Sequence, residues 1–418
     1  MSISPKSELG MLIHEMNKKR NHKSIRQILK ECPNTITEIK PCFLMSPISI
    51  AQYLDTKTYE SYFDYIIFDE ASQVKIEDAI GALLRGKHYI IMGDTKQLPP
   101  TAFFDVETNM ESETEEVPVQ DVESILHFCK TVLPYRMLKC HYRSRHESLI
   151  AVSNLEFYNN DLFIYPSPMM NSEELGLKLH YNPNNIYDKG KTRQNKNEAQ
   201  EVVQQAIQHF QKYGYKKSLG IGTFSVAQKQ AILEEIETQL KDKPELDPYF
   251  NTTGDKSFFV KNIENIQGDE RDVMLISIGY GFDNNHELSM NFGPLNNDGG
   301  ERRLNVLTTR AKEKCVVFSN FKSADMHISA RTPKGVQVLK TFLYYAEHGK
   351  FPSNYVQEDQ FNSNFEKSVY NYLISEGFKV EKHVGCAGYK IDLAIVNPDD
   401  EDEFVIAIEC DGSKYHTD

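Results

Sequence analysis

Several features that would signal a particular class of protein are missing from this chain. Tryptophan is absent, and the seven cysteines form no CxxC pair. Zinc sites and disulfide frameworks show paired or regularly spaced cysteines, so neither is indicated. No apolar run approaches the ~20 residues that a membrane-spanning helix needs, and no signal peptide opens the sequence. We therefore expect reduced thiols, a cytoplasmic location and no membrane partner.

An excess of positive charge is also missing. The chain has 60 acidic residues against 47 Lys and Arg, and its formal net charge is −13 at pH 7. Nucleic-acid binding is not excluded, because a channel can be locally basic on an acidic protein. The stretch Lys18 to Lys30 offers cations for phosphates, although a solvated helix face is the simpler interpretation. A length of 418 residues suggests roughly two to three globular domains.

A third absence concerns the phosphate loop GxxxxGK[ST], whose backbone N–H groups and lysine hold the phosphates of a nucleotide. The only GK[ST] triplet is Gly190-Lys191-Thr192, and Asn185 stands where the first glycine of such a loop is required. We therefore interpret the triplet as part of a polar loop.

The most informative stretch that is present covers residues 64–100, DYIIFDEASQVKIEDAIGALLRGKHYIIMGDTKQLPP. The apolar runs Tyr65 to Phe68 and Tyr89 to Met92, separated by a helix pattern, predict buried parallel strands. Each run ends in a polar cluster, and ligands of parallel sheets sit at the carboxyl ends of the strands. Adjacent carboxylates there suit nucleotide hydrolysis, because one can hold magnesium while the other handles the attacking water.

Polar segments of this kind recur along the chain in a fixed order. The first two are Asp69 to Ser72 (DEAS) and Gly93 to Pro100 (GDTKQLPP). Three more follow: residues 140–162 with Tyr142-Arg143, 260–281 with Gln267-Gly268-Asp269-Glu270, and 302–320 with Arg310. Together they resemble motifs II to VI of superfamily 1 helicases, in the branch of the nonsense-mediated-decay RNA helicase and its DNA-repair relatives. Five motifs in order make the resemblance specific.

The resemblance implies an α/β fold with two RecA-like, P-loop NTPase-type parallel-sheet domains, of the AAA_11 and AAA_12 type. The first, residues 1–131, would be truncated, because the sequence begins after the phosphate loop; the second would cover 132–330, followed by a linker at 331–355. Strand patterns in the second domain alternate with helix patterns such as Glu198 to Lys212, which predicts a parallel sheet. The predicted strands are Leu219 to Phe224, Val273 to Ile278 and Cys315 to Phe318. We expect the chain to be an internal fragment of a longer protein or one product of a split gene.

The same resemblance implies ATP and Mg²⁺ as cofactors and assigns roles to individual residues. Asp69 would coordinate magnesium, Glu70 would orient or deprotonate water, and Gln97 would sense the γ-phosphate. Arg143 and Arg310 would reach the γ-phosphate across a cleft, since a guanidinium fork suits developing phosphate charge. The remaining residues expected near the nucleotide are Gly93, Asp94, Gln267, Gly268 and Glu270.

The end of the chain, residues 356–418, changes character. A helix pattern comes first, with four apolar residues on one face: Phe365, Val369, Tyr372 and Leu373. Two strand patterns then flank the turn at 397–402, which predicts a hairpin. On the second strand, period-two alternation should direct Phe404, Ile406 and Ile408 toward a core.

This segment resembles part of a PD-(D/E)xK nuclease, an α/β restriction-endonuclease-like fold, and more narrowly the very-short-patch-repair type. The resemblance implies that Asp392, Glu409 and Asp411 bind a divalent metal, with Glu366 as a further ligand and His416 as an acid or base. Asp411 stands where that family usually has a lysine, so its mechanism is not simply transferable. A partly buried acidic hairpin without activity remains the alternative.

Two functions remain open at this point. The chain is either the core of an ATP-dependent, 5′-to-3′ DNA helicase with a C-terminal nuclease-like domain, or a non-catalytic polypeptide. In the second case it would be an inactive gene product, or a nucleic-acid-binding subunit whose partner chain carries the phosphate loop. The expected partner is single-stranded or duplex DNA, with RNA as the alternative, and both DNA repair and defence against foreign DNA are plausible roles.

Overall fold

The computed structural model describes residues 4–100, 124–168, 172–254, 256–352, 361, 363–387, 389–401 and 403–410. The chain divides into two compact units, residues 1–136 and 137–418. In the described residues, no helix combines the length and the apolar character that crossing a membrane requires.

Unit 1 contains short helices and two strands. The helices are α1 (Glu8–Asn17), α2 (Ile25–Glu31), α3 (Pro33–Ile39), α4 (Pro47–Tyr53), α5 (Ile76–Leu83) and α6 (Ile125–Val132), and the strands are β1 (Phe63–Phe68) and β2 (Gly86–Ile91). Serine caps begin several helices; Ser46 Oγ accepts from the N–H of Ser49 at 3.2 Å, and Pro47 takes the first helical position. The start of α4 therefore has the serine cap and first-turn proline that helix amino termini favour.

The strands of unit 1 are parallel, as the helix pattern between them predicts. Phe63 pairs with Gly86 and Phe68 with Ile91. One face packs against α5 and α6 through a small core that contains Phe68, Ala79 and Ile125. The other face is open. Its side chains include Tyr65 at 62% exposure, Ile67 at 61% and Ile90 at 44%. The expectation that these strands are buried is therefore wrong for one face, because no helix of the described residues covers it.

Unit 2 holds the rest of the described helices and strands. Its helices are α7 (Ser148–Phe157), α8 (Lys196–Tyr213), α9 (Val226–Asp242), α10 (Asp247–Phe250), α11 (Gly300–Thr308), α12 (Lys334–His348) and α13 (Asn364–Ser375). Its strands are β3 (Gly176–Tyr181), β4 (Leu219–Thr223), β5 (Phe259–Asn262), β6 (Arg271–Ser277), β7 (Ala311–Ser319), β8 (Val380–Ala387), β9 (Tyr389–Val396) and β10 (Phe404–Ile408).

A parallel sheet forms the centre of unit 2. Within the described residues it has five strands in the order β3-β7-β6-β4-β5. The predicted strands β4, β6 and β7 are confirmed and occupy its middle, whereas β3 and β5 were not predicted and lie at its edges. Residues of α8 and α9, such as Val202, Ile207 and Ile232, are fully buried against Leu219 and Leu275.

The predicted linker segment contains α12, and this helix is packed rather than exposed. Val336, Leu339 and Leu343 have no exposed surface. Lys334 Nζ and Thr341 Oγ1 contact the carboxylate of Glu156 on α7 at 2.6 and 2.9 Å. The helix therefore contributes to the core of unit 2.

The C-terminal strands form an antiparallel sheet in the order β10-β9-β8, and the predicted hairpin is β9–β10. Leu393 and Ile395 pack with Val369 and Leu373 of α13, while the other two residues predicted for that helix face, Phe365 and Tyr372, are exposed. The expectation for Ile406 is also wrong, since it is 52% exposed. Ile406 pairs with the buried Ile395, but β10 is an edge strand of the described sheet, and Ile406 lies outside the core against which Ile408 packs.

Candidate nucleotide and metal sites

The acidic pair of unit 1 lies in a sharp turn at the carboxyl end of β1. Both Asp69 and Glu70 are exposed. Asp69 Oδ1 accepts from the N–H of Glu70 at 2.9 Å, and Glu70 has a left-handed backbone with φ 50°. A non-glycine residue in this region is strained, and strain of this kind is concentrated at functional sites. Glu70 is one of eight non-glycine residues with positive φ in the described part of the chain, and its role as the water-handling residue stays a prediction.

The turn after β2 packs directly against this acidic turn. The N–H of Ala71 donates to the carbonyl oxygen of Met92 at 2.8 Å. A Cβ added to Gly93 would lie only 3.0 Å from the backbone nitrogen of Ala71, so a larger residue would separate the two turns. Gln97 Nε2 donates to Asp94 Oδ2 at 3.1 Å. All the unit 1 candidates, from motifs II and III, therefore lie along one edge of the sheet.

The chemistry of this edge fits a hydrated magnesium ion. In the described part of the chain, no group of three or more His, Cys, Asp or Glu is arranged to hold a metal. Magnesium keeps several waters and needs only one or two protein carboxylates, and Asp69, the predicted ligand, would supply one. Two buried atoms beside them, Ser72 Oγ and Gln97 Oε1, have no hydrogen-bond partner among the described residues. Such atoms suit contact with a polar group such as a metal-bound water.

Unit 2 brings three charged residues together from distant parts of the chain. Arg143 Nε lies 2.9 Å from Glu270 Oε2, and Lys312 Nζ lies 2.7 Å from Glu270 Oε1. The hydrogen bond from Lys312, helped by the charge of Arg143, holds the pKa of Glu270 below its ordinary value. These residues adjoin the amino ends of β6 and β7. We call this group the Glu270 cluster.

Arg310 also belongs to this neighbourhood, and its charge contributes to the lowered pKa of Glu270. Its side chain is only 4% exposed. The guanidinium folds back onto α11, where Nε donates to the carbonyl oxygen of Val306 at 2.8 Å and Nη2 to Thr309 Oγ1 at 3.2 Å. Arg143 is the accessible arginine of the two, since 41% of its side chain is exposed. Their contact with a γ-phosphate stays a prediction.

Sequence reasoning missed Lys312 and His141. Lys312 lies two residues after Arg310, at the start of β7, and a second cation this near a predicted motif residue was a usable signal. His141 is half-buried; burial, together with the charge of Arg143, lowers its pKa to about 4. Its Nε2 accepts from the N–H of Ser144 at 3.2 Å, so the neutral ring ties the turn that presents Arg143. No pattern in the sequence points to that role.

The remaining predicted nucleotide residues lie in the segment before β6. Gly268 has φ +85°, and a Cβ there would meet nothing within 4 Å. This backbone conformation favours glycine, and the open space permits the close approach that was predicted. Gln267 Nε2 is buried and lacks a hydrogen-bond partner in the described residues.

Glu366, at the start of α13, is buried with 1% exposure. Its Oε1 is 2.8 Å from Nε2 of His383, and Ser363 Oγ caps the helix by accepting from its N–H at 3.0 Å. His383, with φ 51°, lies on β8 and was not predicted. The structure therefore places Glu366 against the sheet, in contact with an imidazole.

Asp392 and Glu409 are brought close by strand pairing. Ile408 pairs with Leu393, so the same register continued by one residue puts Glu409 opposite Asp392. The N–H of Cys410 donates to Asp392 Oδ2 at 2.8 Å. Asp411 and His416 lie outside the described residues. Within the described residues, no group of three or more His, Cys, Asp or Glu is arranged to hold a metal. Metal binding by the carboxylates of this segment stays a prediction.

Family models match most of the chain. The AAA_11 model, an AAA domain, matches residues 14–104, and the AAA_12 model, also an AAA domain, matches residues 121–322. A third model, REase_MTES_1575, matches residues 365–418. The three matches follow the order of motifs II to VI and of the C-terminal hairpin.

Curated relatives are helicases. An uncharacterized ATP-dependent helicase of Mycoplasma pneumoniae is 37% identical over 326 residues, which are 75% of this chain and 28% of the relative. The DNA replication ATP-dependent helicase/nuclease of Schizosaccharomyces pombe is 25% identical over 296 residues, 62% of this chain and 19% of the relative. Helicase SEN1 of Saccharomyces cerevisiae is 27% identical over 274 residues, 62% of this chain and 11% of the relative.

The chain spans 28% of the length of the Mycoplasma pneumoniae helicase and 26% of a second relative, an uncharacterized ATP-dependent helicase of Mycoplasma genitalium. Motifs, parallel sheets and relatives agree on the family. The chain belongs to the superfamily 1 ATP-dependent helicases, with AAA_11- and AAA_12-type domains followed by a restriction-endonuclease-like domain.

Proposed function

We propose that this chain forms the core of an ATP-dependent DNA helicase that moves 5′ to 3′ and carries a C-terminal nuclease-like domain. The observation that carries this proposal is the Glu270 cluster. Arg143, Glu270 and Lys312 come from three separate segments, and ion pairs of 2.9 and 2.7 Å hold them together. Two of the three, Arg143 and Glu270, are predicted motif residues from distant parts of the chain, and their contact at one sheet edge supports the proposal.

The cluster has the properties that a phosphate-sensing group needs. A guanidinium offers several N–H donors to phosphate oxygens, and fixing it beforehand reduces the entropy lost on binding. Glu270 contacts Arg143 at Nε, and the side chain keeps 41% exposure, so that a phosphate can approach it. Lys312 balances the charge of the Glu270 carboxylate, which leaves the positive charge of the exposed Arg143 available to an anion.

Unit 1 would supply the hydrolytic residues. ATP would provide the phosphoryl group whose transfer drives movement, and Asp69 would hold the magnesium ion that accompanies it. Glu70 would orient the attacking water. The sequence has no GxxxxGK[ST] loop to hold the phosphates, so we expect this chain by itself to hydrolyse ATP very weakly.

ATP turnover tests this proposal. DNA-stimulated hydrolysis should be close to background for the 418-residue chain and should appear when a longer polypeptide supplies a phosphate loop. In that polypeptide, Glu70→Gln should abolish turnover, whereas Glu77→Gln, on the first turn of α5, should not. Turnover that survives Glu70→Gln would show that another residue handles the water.

The missing phosphate loop favours a second candidate, a nucleic-acid-binding subunit completed by another chain. In that case the purified chain should bind single-stranded DNA with no ATP turnover, and a separate phosphate-loop protein should restore turnover on mixing. DNA is preferred over RNA because of the restriction-endonuclease-type family match at residues 365–418.

We also propose that Asp392 and Glu409 form part of a metal-dependent nuclease site together with Asp411. Two carboxylates from paired strands suit a divalent ion. Manganese binding by calorimetry should weaken in Asp392→Asn, while the control Asp399→Asn, on the exposed turn between the strands, should bind as the parent chain does. Equal binding by both variants would identify the segment as a structural or binding module.

A further inference from the structure

The basic stretch that the sequence suggests for phosphate contact, Lys18 to Lys30, has six Lys and Arg residues, and three of them are paired with carboxylates of unit 1. Lys18 pairs with Glu15 at 2.6 Å, Lys23 pairs with Glu31, and Lys30 lies 3.4 Å from Asp55. These lysines are already matched by carboxylates of the same unit. The other three, Lys19, Arg20 and Arg26, are exposed, so this stretch remains an alternative surface for phosphate contact.

A different segment of unit 2 carries unmatched positive charge. Residues 187–196, the basic loop, precede α8 and contain the Gly190-Lys191-Thr192 triplet. Four of its side chains are exposed cations, and none forms an ion pair with another described residue: Lys189, Lys191, Arg193 and Lys196. Two carboxylates lie nearby, Asp188 and Asp283, so the loop keeps a net charge of about +2 in an acidic protein.

Both nearby carboxylates are occupied by local hydrogen bonds. Asp188 Oδ2 accepts from Thr192 Oγ1 at 2.8 Å and from its N–H at 3.2 Å. Asp283 Oδ1 accepts from the N–H groups of Asn285 and Glu287 at 2.8 and 3.1 Å. They shape the backbone of their own turns and leave the cations of the basic loop facing solvent.

The basic loop is built into the fold at both ends. Within it, the N–H of Asp188 donates to Gln194 at 2.9 Å and that of Arg193 to Asp188 at 3.0 Å. The N–H of Tyr187 donates to the carbonyl oxygen of Phe282 at 3.0 Å. Gln228 binds Asn195 twice, accepting from its N–H at 2.8 Å and donating to its carbonyl at 3.0 Å. The cations thus project from a fixed backbone.

The position of the loop matters as much as its charge. It follows β3 and is pinned to segments that follow β6 and β4, so it lies at the carboxyl edge of the parallel sheet. Ligands of open parallel sheets bind at this edge. The Glu270 cluster lies at the opposite, amino edge, so the two groups can serve different ligands at once.

Nothing at the start of α8 cancels this charge. The partial positive charge of a helix amino terminus adds to the nearby cations. The only carboxylate of the first turn, Glu198, is fully buried, and burial raises its pKa to about 8, so it is mostly neutral at pH 7. Its Oε1 accepts from Gly279 at 2.8 Å, on the interior side of the helix.

We propose that the basic loop binds the phosphate backbone of single-stranded nucleic acid at the carboxyl edge of the unit 2 sheet. Lys189, Lys191 and Arg193 would contact successive phosphates, without reading bases. The inference rests on the proposed helicase function only for the class of ligand, because it assigns the strand to a surface separate from the Glu270 cluster.

The test measures binding of fluorescein-labelled dT20 to the 418-residue chain by anisotropy between 50 and 200 mM salt. The triple variant Lys189→Gln/Lys191→Gln/Arg193→Gln should lose about tenfold in affinity at the lower salt, and its salt slope should fall by about 2, at ~0.7 per phosphate contact. A parallel series with rU20 distinguishes RNA from DNA as the preferred strand.

The matched control is Lys19→Gln/Arg20→Gln/Arg26→Gln, which removes three exposed cations from the first basic stretch. Both variants lower the net charge from −13 by three, so a general charge effect would weaken them equally. The proposal requires the control to bind like the parent chain. It is overturned if the loop variant keeps the parental affinity and slope, if the control loses as much, or if the parent chain does not bind either strand.

Binding and ATP turnover fail independently in this design. Glu77→Gln, on the first turn of α5 and outside both proposed sites, should leave dT20 binding unchanged. If a longer polypeptide binds dT20 through the loop but does not hydrolyse ATP, this result would count against the helicase proposal alone. Unchanged binding by the loop variant, with normal turnover in a longer polypeptide, would count against the loop alone.

Discussion

The parallel sheets of the two units begin from the same kind of sequence and end in different environments. In unit 2 every residue of β4 is buried, and Leu275 on β6 is 1% exposed. In unit 1, Tyr65 and Ile67 on β1 are 62% and 61% exposed. Parallel strands are normally covered on both faces. The comparison teaches that an apolar run predicts a strand but does not reveal how many layers cover it.

The cause of the difference lies in the helices. α8 and α9 pack on the unit 2 sheet with a continuous core, whereas α5 and α6 cover only one face of β1 and β2. Burial of an aliphatic side chain contributes about 1.5–3 kcal/mol. Ile67 gains only part of that contribution, so equivalent substitutions in the two sheets should have unequal effects.

The largest expected effect is therefore a cavity in the covered sheet. Leu275→Ala should lower the free energy of unfolding of unit 2 by about 2–5 kcal/mol, because it removes buried methyl groups and leaves a void. Ile67→Ala should cost about 0.5 kcal/mol or less, as for other surface changes. Urea denaturation of both variants provides the measurement, and a cost at Ile67 equal to that at Leu275 would mean that the open face is covered in solution.

A second difference concerns carboxylates at the carboxyl edges. Glu70 of unit 1 is exposed, whereas Glu198 of unit 2 is buried with a pKa raised to about 8. A raised acid pKa means that the folded state binds the proton more tightly than the unfolded state, whose pKa is near 4.5. The contribution of Glu198 to stability is therefore fully present below pH 4.5 and is lost as the pH rises toward 8.

Replacing Glu198 with a side chain that cannot ionise should remove this pH dependence from the stability of unit 2. Glu198→Gln keeps an acceptor for Ser277 and Gly279 but carries no charge, so it should stabilise unit 2 at pH 8 by roughly 1–3 kcal/mol. Denaturation at pH 5 and pH 8 should show a flatter dependence for the variant than for the parent chain. Parallel pH profiles would show that Glu198 is not the responsible group.

A smaller effect is expected at the strained residue of unit 1. Glu70→Gly should raise the stability of unit 1 by about 0.5–1 kcal/mol, because glycine adopts a φ of 50° without steric cost. The gain should be measurable by thermal unfolding, and Glu77→Gly, inside α5, is the control that should destabilise. If Glu70→Gly also destabilises, interactions of the side chain outweigh the backbone strain.

The smallest effect on folding belongs to the Glu270 cluster. Lys312→Met should lower stability by less than about 1 kcal/mol, because the pair is partly solvent-exposed. It should nevertheless raise the pKa of Glu270, which titration by NMR can follow, while Lys312→Arg should keep that pKa low. An unchanged pKa in Lys312→Met would leave Arg143 as the dominant partner.

Prediction from sequence succeeded where local patterns carry the information. The parallel pairing of β1 with β2 and the three central strands of unit 2 followed from apolar runs separated by helices. It failed at β3 and β5, since these edge strands are only partly buried and contain no continuous apolar run. It also failed at Ile406, because alternation predicts which residues share a face but not whether another element covers that face at the edge of a sheet.

The sequence by itself determined the family, the order of the motifs and the identity of residues such as Asp69, Glu70 and Arg143, because these depend on residue types at fixed spacing. Only the tertiary structure decided which charges remain available. Lys18 and Lys30 find carboxylates within unit 1, while Lys189 and Lys191 do not within unit 2. Ion pairing depends on distances of a few ångströms between residues far apart in the chain, and those distances exist only once the chain has folded.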